Sequence, residues 1–69
     1  MSDRHDLVKV ETIKKLILET QASIGRQEKV ITELQRDGHS AIGATTLLRL
    51  LENDLADYRK VLDSLRSLP

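Results

Sequence analysis

The sequence contains no cysteine, phenylalanine or tryptophan, and Tyr58 is its single aromatic residue. Without thiols the chain forms no disulfide framework and offers no thiolate ligands for zinc. No apolar run approaches the length of about 18 residues that spans a membrane, and no basic-then-apolar leader opens the chain. We therefore expect a cytoplasmic protein without a membrane segment.

The chain also has no excess of positive or negative charge, because 11 basic and 11 acidic side chains give a net charge of zero. A nucleic-acid-binding domain usually carries a basic excess, so this balance disfavours such a partner. The one proline is residue 69, and only three glycines are present. Abundant Leu, Glu, Lys, Arg and Ala are typical of long helices, and 69 residues make one domain.

A heptad pattern of apolar residues runs along the first half of the chain. Its a positions are Val10, Ile17, Ile24 and Ile31, and its d positions are Ile13, Thr20, Gln27 and Leu34. Most of these side chains are apolar, which predicts a helix with one core-facing stripe. Gly38 follows the pattern and is suited to a left-handed helix end.

A second stripe follows the glycine. It comprises Ala41, Ala44, Leu48, Leu51, Leu55, Tyr58, Leu62 and Leu65. Ser40 is a good candidate for the N-cap, and a connection of about three residues forces antiparallel neighbours. The sequence thus predicts an all-α fold, an antiparallel two-helix hairpin spanning about 6–37 and 41–67, in a single domain of residues 1–69. Two registers one heptad apart fit the stripes, and we prefer the one that pairs Gln27 with Leu48 and Ile31 with Ala44.

Further apolar residues lie outside the two stripes. They include Leu16, Val30, Leu47, Leu50 and Val61. A lone hairpin leaves these side chains in water, whereas helices with a wide apolar face usually contact two neighbours. We therefore expect them to form an oligomer interface, with two hairpins making a homodimeric four-helix bundle. A partner helix from another protein is the alternative occupant.

Thr20 and Gln27 interrupt the first stripe with polar groups. A single polar residue in an apolar seam penalises wrong pairings, so we expect both to set the register. If so, replacing Gln27 by leucine strengthens the seam and relaxes its uniqueness.

The sequence offers little for catalysis. His5 precedes an acid and an aliphatic residue, as in phosphotransfer boxes, but the rest of that motif is missing, and His39 has no second ligand at helical spacing. Nucleophile–base pairs and phosphate loops are also lacking. We expect no enzyme, no cofactor and no metal. Lys15, Lys29 and Arg36 share one helix position, which leaves an RNA- or DNA-binding regulatory dimer as an alternative.

Residues 24–62 carry a recognisable pattern. It reads Ile24-x2-Gln27-x3-Ile31-x2-Leu34-x3-Gly38, then Ala44-x2-Leu47-Leu48-x2-Leu51-x3-Leu55, with Arg26-Gln27 and Arg36-Asp37-Gly38-His39 inside it. This resembles a group of short bacterial helical-hairpin proteins of unknown function. The resemblance implies an intracellular hairpin and supplies no catalytic residue. Our expectation is a small protein–protein interaction or oligomerisation module that acts through helix surfaces.

Overall fold

The computed structural model describes the backbone of residues 3–67 and the side chains of residues 7–67. Helix α1 spans Asp3–Arg36, helix α2 spans Ile42–Arg66, and residues 3–67 contain no strand. The prediction of an all-α two-helix fold is confirmed. Each helix begins or ends a few residues from the expected bounds, as helix termini commonly do. The two helices form a narrow rod of 57 × 14 × 12 Å.

The end of α1 is closed by Gly38, which adopts a left-handed φ of 77°. The His39 amide donates to the Leu34 carbonyl at 2.8 Å, and the Gly38 amide donates to the Gln35 carbonyl at 3.1 Å. These two bonds define the Schellman motif, which satisfies carbonyl groups left free at a helix end. Arg36 lies in the last turn, where its charge suits the helix dipole. The expected role of Gly38 is therefore confirmed.

The start of α2 differs from the expectation. Ala41, not Ser40, occupies the N-cap position, and its side chain provides no capping bond. The Ser40 hydroxyl accepts a long bond, 3.4 Å, from the Ile42 amide. The first α2 bond runs instead from the Thr45 amide to the Ala41 carbonyl at 2.8 Å. The serine therefore closes a turn ahead of the helix, and the connection spans residues 37–41 rather than three residues.

The seam between the helices follows the heptad pattern. All sixteen predicted a and d positions are half-buried, including Thr20, Gln27 and Tyr58. Leu16 and Ser23 are half-buried as well. Among residues 7–67, however, no side chain is fully buried. Two helices without a further layer leave one flank of every seam residue open, so the isolated hairpin has a stripe but no enclosed core.

The register of the hairpin is shown by a bond across the seam. Gln27 Nε2 donates to the Ala44 carbonyl at 3.0 Å, and this contact is partly buried. Farther from the turn, Ile13 lines a shared cavity with Val61 and Leu65. A shift of one heptad moves α2 by about 10 Å, which breaks both contacts. The structure therefore adopts the preferred register.

Two glycine substitutions are expected to change stability in opposite directions. Gly38→Ala places a Cβ on a left-handed residue and should lower the melting temperature by about 5 °C, equivalent to roughly 1 kcal/mol. Gly25 lies on an exposed face of α1, so Gly25→Ala should raise the melting temperature by a similar amount. At either position the added Cβ meets no atom within 4 Å, so the backbone conformation alone decides the sign. Thermal denaturation by circular dichroism at one protein concentration checks the pair, and a stabilised Gly38→Ala would contradict it.

Candidate interaction surface

The two long sides of the hairpin differ in polarity. In an antiparallel pair the g positions of both helices flank the seam on one side, and the e positions flank it on the other. On the e side, the first described residue is the exposed Leu7, and all the others are polar and exposed; they are Lys14, Gln21, Glu28, Gln35, Thr45, Glu52, Arg59 and Arg66. The g side carries most of the remaining large apolar residues. We call this surface the apolar side and define it as Leu16, Val30, Leu47, Leu50 and Val61.

The apolar side is open to water. Leu16 is half-buried against the seam, whereas the other four side chains are 42% to 56% exposed. The heptad positions place all five of the predicted interface residues on one side of the hairpin. The exposed Leu18 and Ile42 occupy b positions and lie toward the opposite side. Their location shows that apolar exposure alone does not define this surface.

The apolar side has two clusters separated by a polar centre. Leu16 and Val61 form one cluster, and Val30, Leu47 and Leu50 form the other, nearer the turn. Leu16 and Val30 are two heptads apart, which corresponds to about 21 Å along the helix.

Ser23 and Asp54 lie between these clusters. Arg26 Nη2 donates to the Ser23 hydroxyl at 2.9 Å, which keeps the guanidinium over the centre of the surface. The sequence pattern did not lead us to assign Ser23, Arg26 or Asp54 to this surface. The signal was available, since all three occupy the g and c positions that share a side with Leu16.

A shallow notch continues the apolar side at the end away from the turn. It has a volume of about 270 Å³ and an almost wholly apolar lining, formed by Val8, Lys9, Thr12, Ile13, Val61 and Leu65. The Thr12 hydroxyl donates to the Val8 carbonyl at 2.9 Å, so this hydroxyl is already bonded within its own helix. The notch therefore presents methyl and methylene groups to an incoming side chain.

The two polar seam residues have different surroundings. Gln27 holds the interhelical bond to Ala44, which gives one amide hydrogen a specific partner. Thr20 is half-buried at the layer one heptad farther from the turn. Their predicted role in setting the register stays a prediction, although the Gln27 bond forms only in the register observed.

The candidate groups for chemistry do not converge. His39 is exposed in the turn, and the side chain of His5 lies outside the described residues. Within residues 7–67, no group of His, Asp and Glu is arranged to hold a metal ion. Lys15, Lys29 and Arg36 are exposed on the outer face of α1. Exposed acids lie beside them, namely Glu19, Glu28 and Glu33, so the basic groups do not form an uninterrupted positive stripe.

Neither α1 nor α2, over the residues described, has a stretch long and apolar enough to cross a membrane. Comparison with family models, with curated proteins and with solved structures gives no match to this chain.

Proposed function

We propose that this chain is a small cytoplasmic protein–protein interaction module that works by self-association of its hairpins. The observation that supports this most is the combination of an exposed apolar side with a hairpin that has no fully buried side chain among residues 7–67. A core of this size rarely supplies more than about 3–5 kcal/mol of stability. A second hairpin on the apolar side adds the missing layer and yields a four-helix bundle.

Zero net charge favours the same conclusion, because no long-range repulsion opposes the meeting of two copies. In such a dimer the polar residues of the e side remain exposed to water, so they offer no apolar surface to a third copy. The pattern in residues 24–62 resembles short bacterial hairpin proteins, and this resemblance agrees with an interaction role. That the chain is related to those proteins stays a prediction.

We expect the protein to be a dimer at micromolar concentration. Size exclusion coupled to light scattering should give about twice the chain mass of 7.8 kDa, with a shift toward the monomer on dilution. A folded monomer whose mass and helix content do not change with concentration would contradict self-association. A partner helix from another protein would then be the occupant to seek.

The alternative function is a nucleic-acid-binding hairpin dimer. The observation in its favour is the exposed placement of Lys15, Lys29 and Arg36 at equivalent positions of α1. Mobility-shift assays with bulk RNA and DNA at low salt distinguish the two functions. A salt-sensitive shift that is lost when these three residues are changed to glutamine would support nucleic-acid binding, whereas no shift at low salt favours the interaction module.

A further inference from the structure

The g positions of each helix form one stripe along the apolar side. Over the length of the two clusters these positions are Leu16, Ser23 and Val30 on α1, and Leu47, Asp54 and Val61 on α2. Each stripe therefore has a polar residue in its middle, one heptad or about 10 Å from an apolar residue in either direction. Both stripes are interrupted once, and in the same place.

The observed register makes the two interruptions coincide. The bond from Gln27 to the Ala44 carbonyl fixes the alignment of the helices, and this alignment sets Ser23 and Asp54 within about 3 Å of the same level along the rod. A shift of one heptad would separate the two residues by about 10 Å and place an apolar residue beside each of them.

The carboxylate of Asp54 is not neutralised within its own hairpin. Asp54 is exposed, so water solvates its charge. Within residues 7–67 the one ion pair joins Lys14 to Glu11 at 3.7 Å, on the opposite side of the rod. Arg26 lies on the same side as Asp54 but donates to the Ser23 hydroxyl instead. Any surface that covers Asp54 therefore removes water from an unpaired charge.

A second copy on the apolar side covers this level, because the level lies midway between the two clusters. The copy carries its own Ser23 and Asp54 at the same level. Whichever way the copy is turned, Asp54 therefore faces either a serine hydroxyl or another carboxylate, and neither group neutralises its charge. Taking a carboxylate out of water without a counter-charge is far more costly than covering a neutral side chain. The clusters thus favour association, and the level between them opposes it.

We propose that Asp54 limits the strength of self-association and keeps the dimer reversible. This inference rests on the proposed self-association and adds the residue that sets its strength. With an apolar residue in place of Asp54, Leu47 and Val61 would belong to one unbroken stripe on α2, and two copies would separate more slowly.

Two substitutions of Asp54 test this role. Asp54→Leu removes the charge and completes the stripe, so it should lower the dissociation constant of the dimer by about tenfold or more, equivalent to 1.4 kcal/mol. Asp54→Asn removes the charge at nearly constant size and should lower the constant by about threefold or more. Sedimentation equilibrium measures both against the parent chain. Native mass spectrometry of mixed isotopically labelled and unlabelled chains gives the rate of subunit exchange, which should fall in the same order.

Asp63→Leu is the matched control. Asp63 is exposed at a b position, toward the opposite side, so the same substitution should leave the dissociation constant within about twofold of the parent. An Asp54→Leu dimer no tighter than the parent would overturn the role of Asp54, and so would equal tightening by Asp63→Leu. If Asp54→Leu tightens the dimer and Asp54→Asn does not, added apolar surface and not the carboxylate limits association, and the assignment also fails.

The inference and the proposed function fail in different ways. A parent chain that stays monomeric by light scattering defeats the proposed function, and Asp54 then has no association to limit. A parent dimer that Asp54→Leu does not tighten keeps the proposed function and defeats the role of Asp54 alone. A parent dimer that both Asp54 variants tighten, with the Asp63→Leu control unchanged, supports both.

Discussion

Leu50→Glu is expected to weaken dimerisation at least tenfold while the chain retains most of its helix content. Leu50 is 56% exposed in the hairpin and lies at a c position, off the intramolecular seam. Its loss therefore costs the hairpin little. Because Leu50 is already partly covered in the hairpin, the substitution removes roughly half of the 1.5–3 kcal/mol that full burial of a leucine supplies, about 1 kcal/mol. It also introduces a charge at the interface, and each 1.4 kcal/mol corresponds to a tenfold change in affinity. Sedimentation equilibrium gives the dissociation constant, and circular dichroism gives the helix content.

Leu18→Glu is the matched control for this experiment. Leu18 is 67% exposed and lies on the opposite side of the hairpin, so the same substitution should leave the dissociation constant within about twofold of the parent. If Leu50→Glu dimerises as tightly as the parent, the apolar side is not the interface. If both variants weaken the dimer equally, the effect comes from added charge and not from the surface that carries Leu50.

Gln27→Leu is expected to raise the melting temperature and to make the assembly less uniform. The substitution loses one neutral hydrogen bond, about 1 kcal/mol. The Ala44 carbonyl is not left unsatisfied, because it still accepts from the backbone of its own helix. Leucine at this half-buried position adds apolar burial of comparable or larger size. It also removes the contact that forms only in the observed register, so pairings shifted by a heptad become competitive.

The measurement combines thermal denaturation with native mass spectrometry, which counts the species present. Gln21→Leu is the control, since Gln21 is exposed on the polar e side and reports the effect of leucine on helix propensity alone. A Gln27→Leu variant that melts at a lower temperature and keeps a single oligomer would show that the amide is favourable where it stands.

The heptad pattern predicted which residues lie at the seam because burial in a helix pair depends only on the angle of each residue around its own axis. That angle follows from residue number. The pattern therefore placed Val10 and Leu65, near the ends of the helices, at the seam as reliably as Ile24 in the middle. Ser23 was not predicted as part of the apolar side. It occupies a g position of that side, but its side chain is small and polar, and a pattern of apolar residues does not detect it. Gly38 was predicted because a left-handed helix end strongly favours a residue without a Cβ.

The bounds of the elements were predicted less well. At the start of α2 the Ser40 hydroxyl accepts only a long bond from the Ile42 amide, whereas the Ala41 carbonyl accepts a short one from the Thr45 amide. This bond geometry, which a residue pattern does not contain, moves the N-cap by one residue.

The sequence by itself determined an all-α hairpin, its turn, its seam and the existence of surplus apolar residues, because each of these depends on local spacing and on the conformational freedom of one glycine. Only the tertiary structure decided the register, because a heptad repeat matches itself after every shift of seven residues. The bond from Gln27 to Ala44 resolves that degeneracy, since an amide and a carbonyl on different helices meet at 3.0 Å in one alignment only. A shift of one heptad keeps Leu16 and Val30 on the same side as Leu47, Leu50 and Val61, so the register decides only which of these residues lie at the same level along the rod.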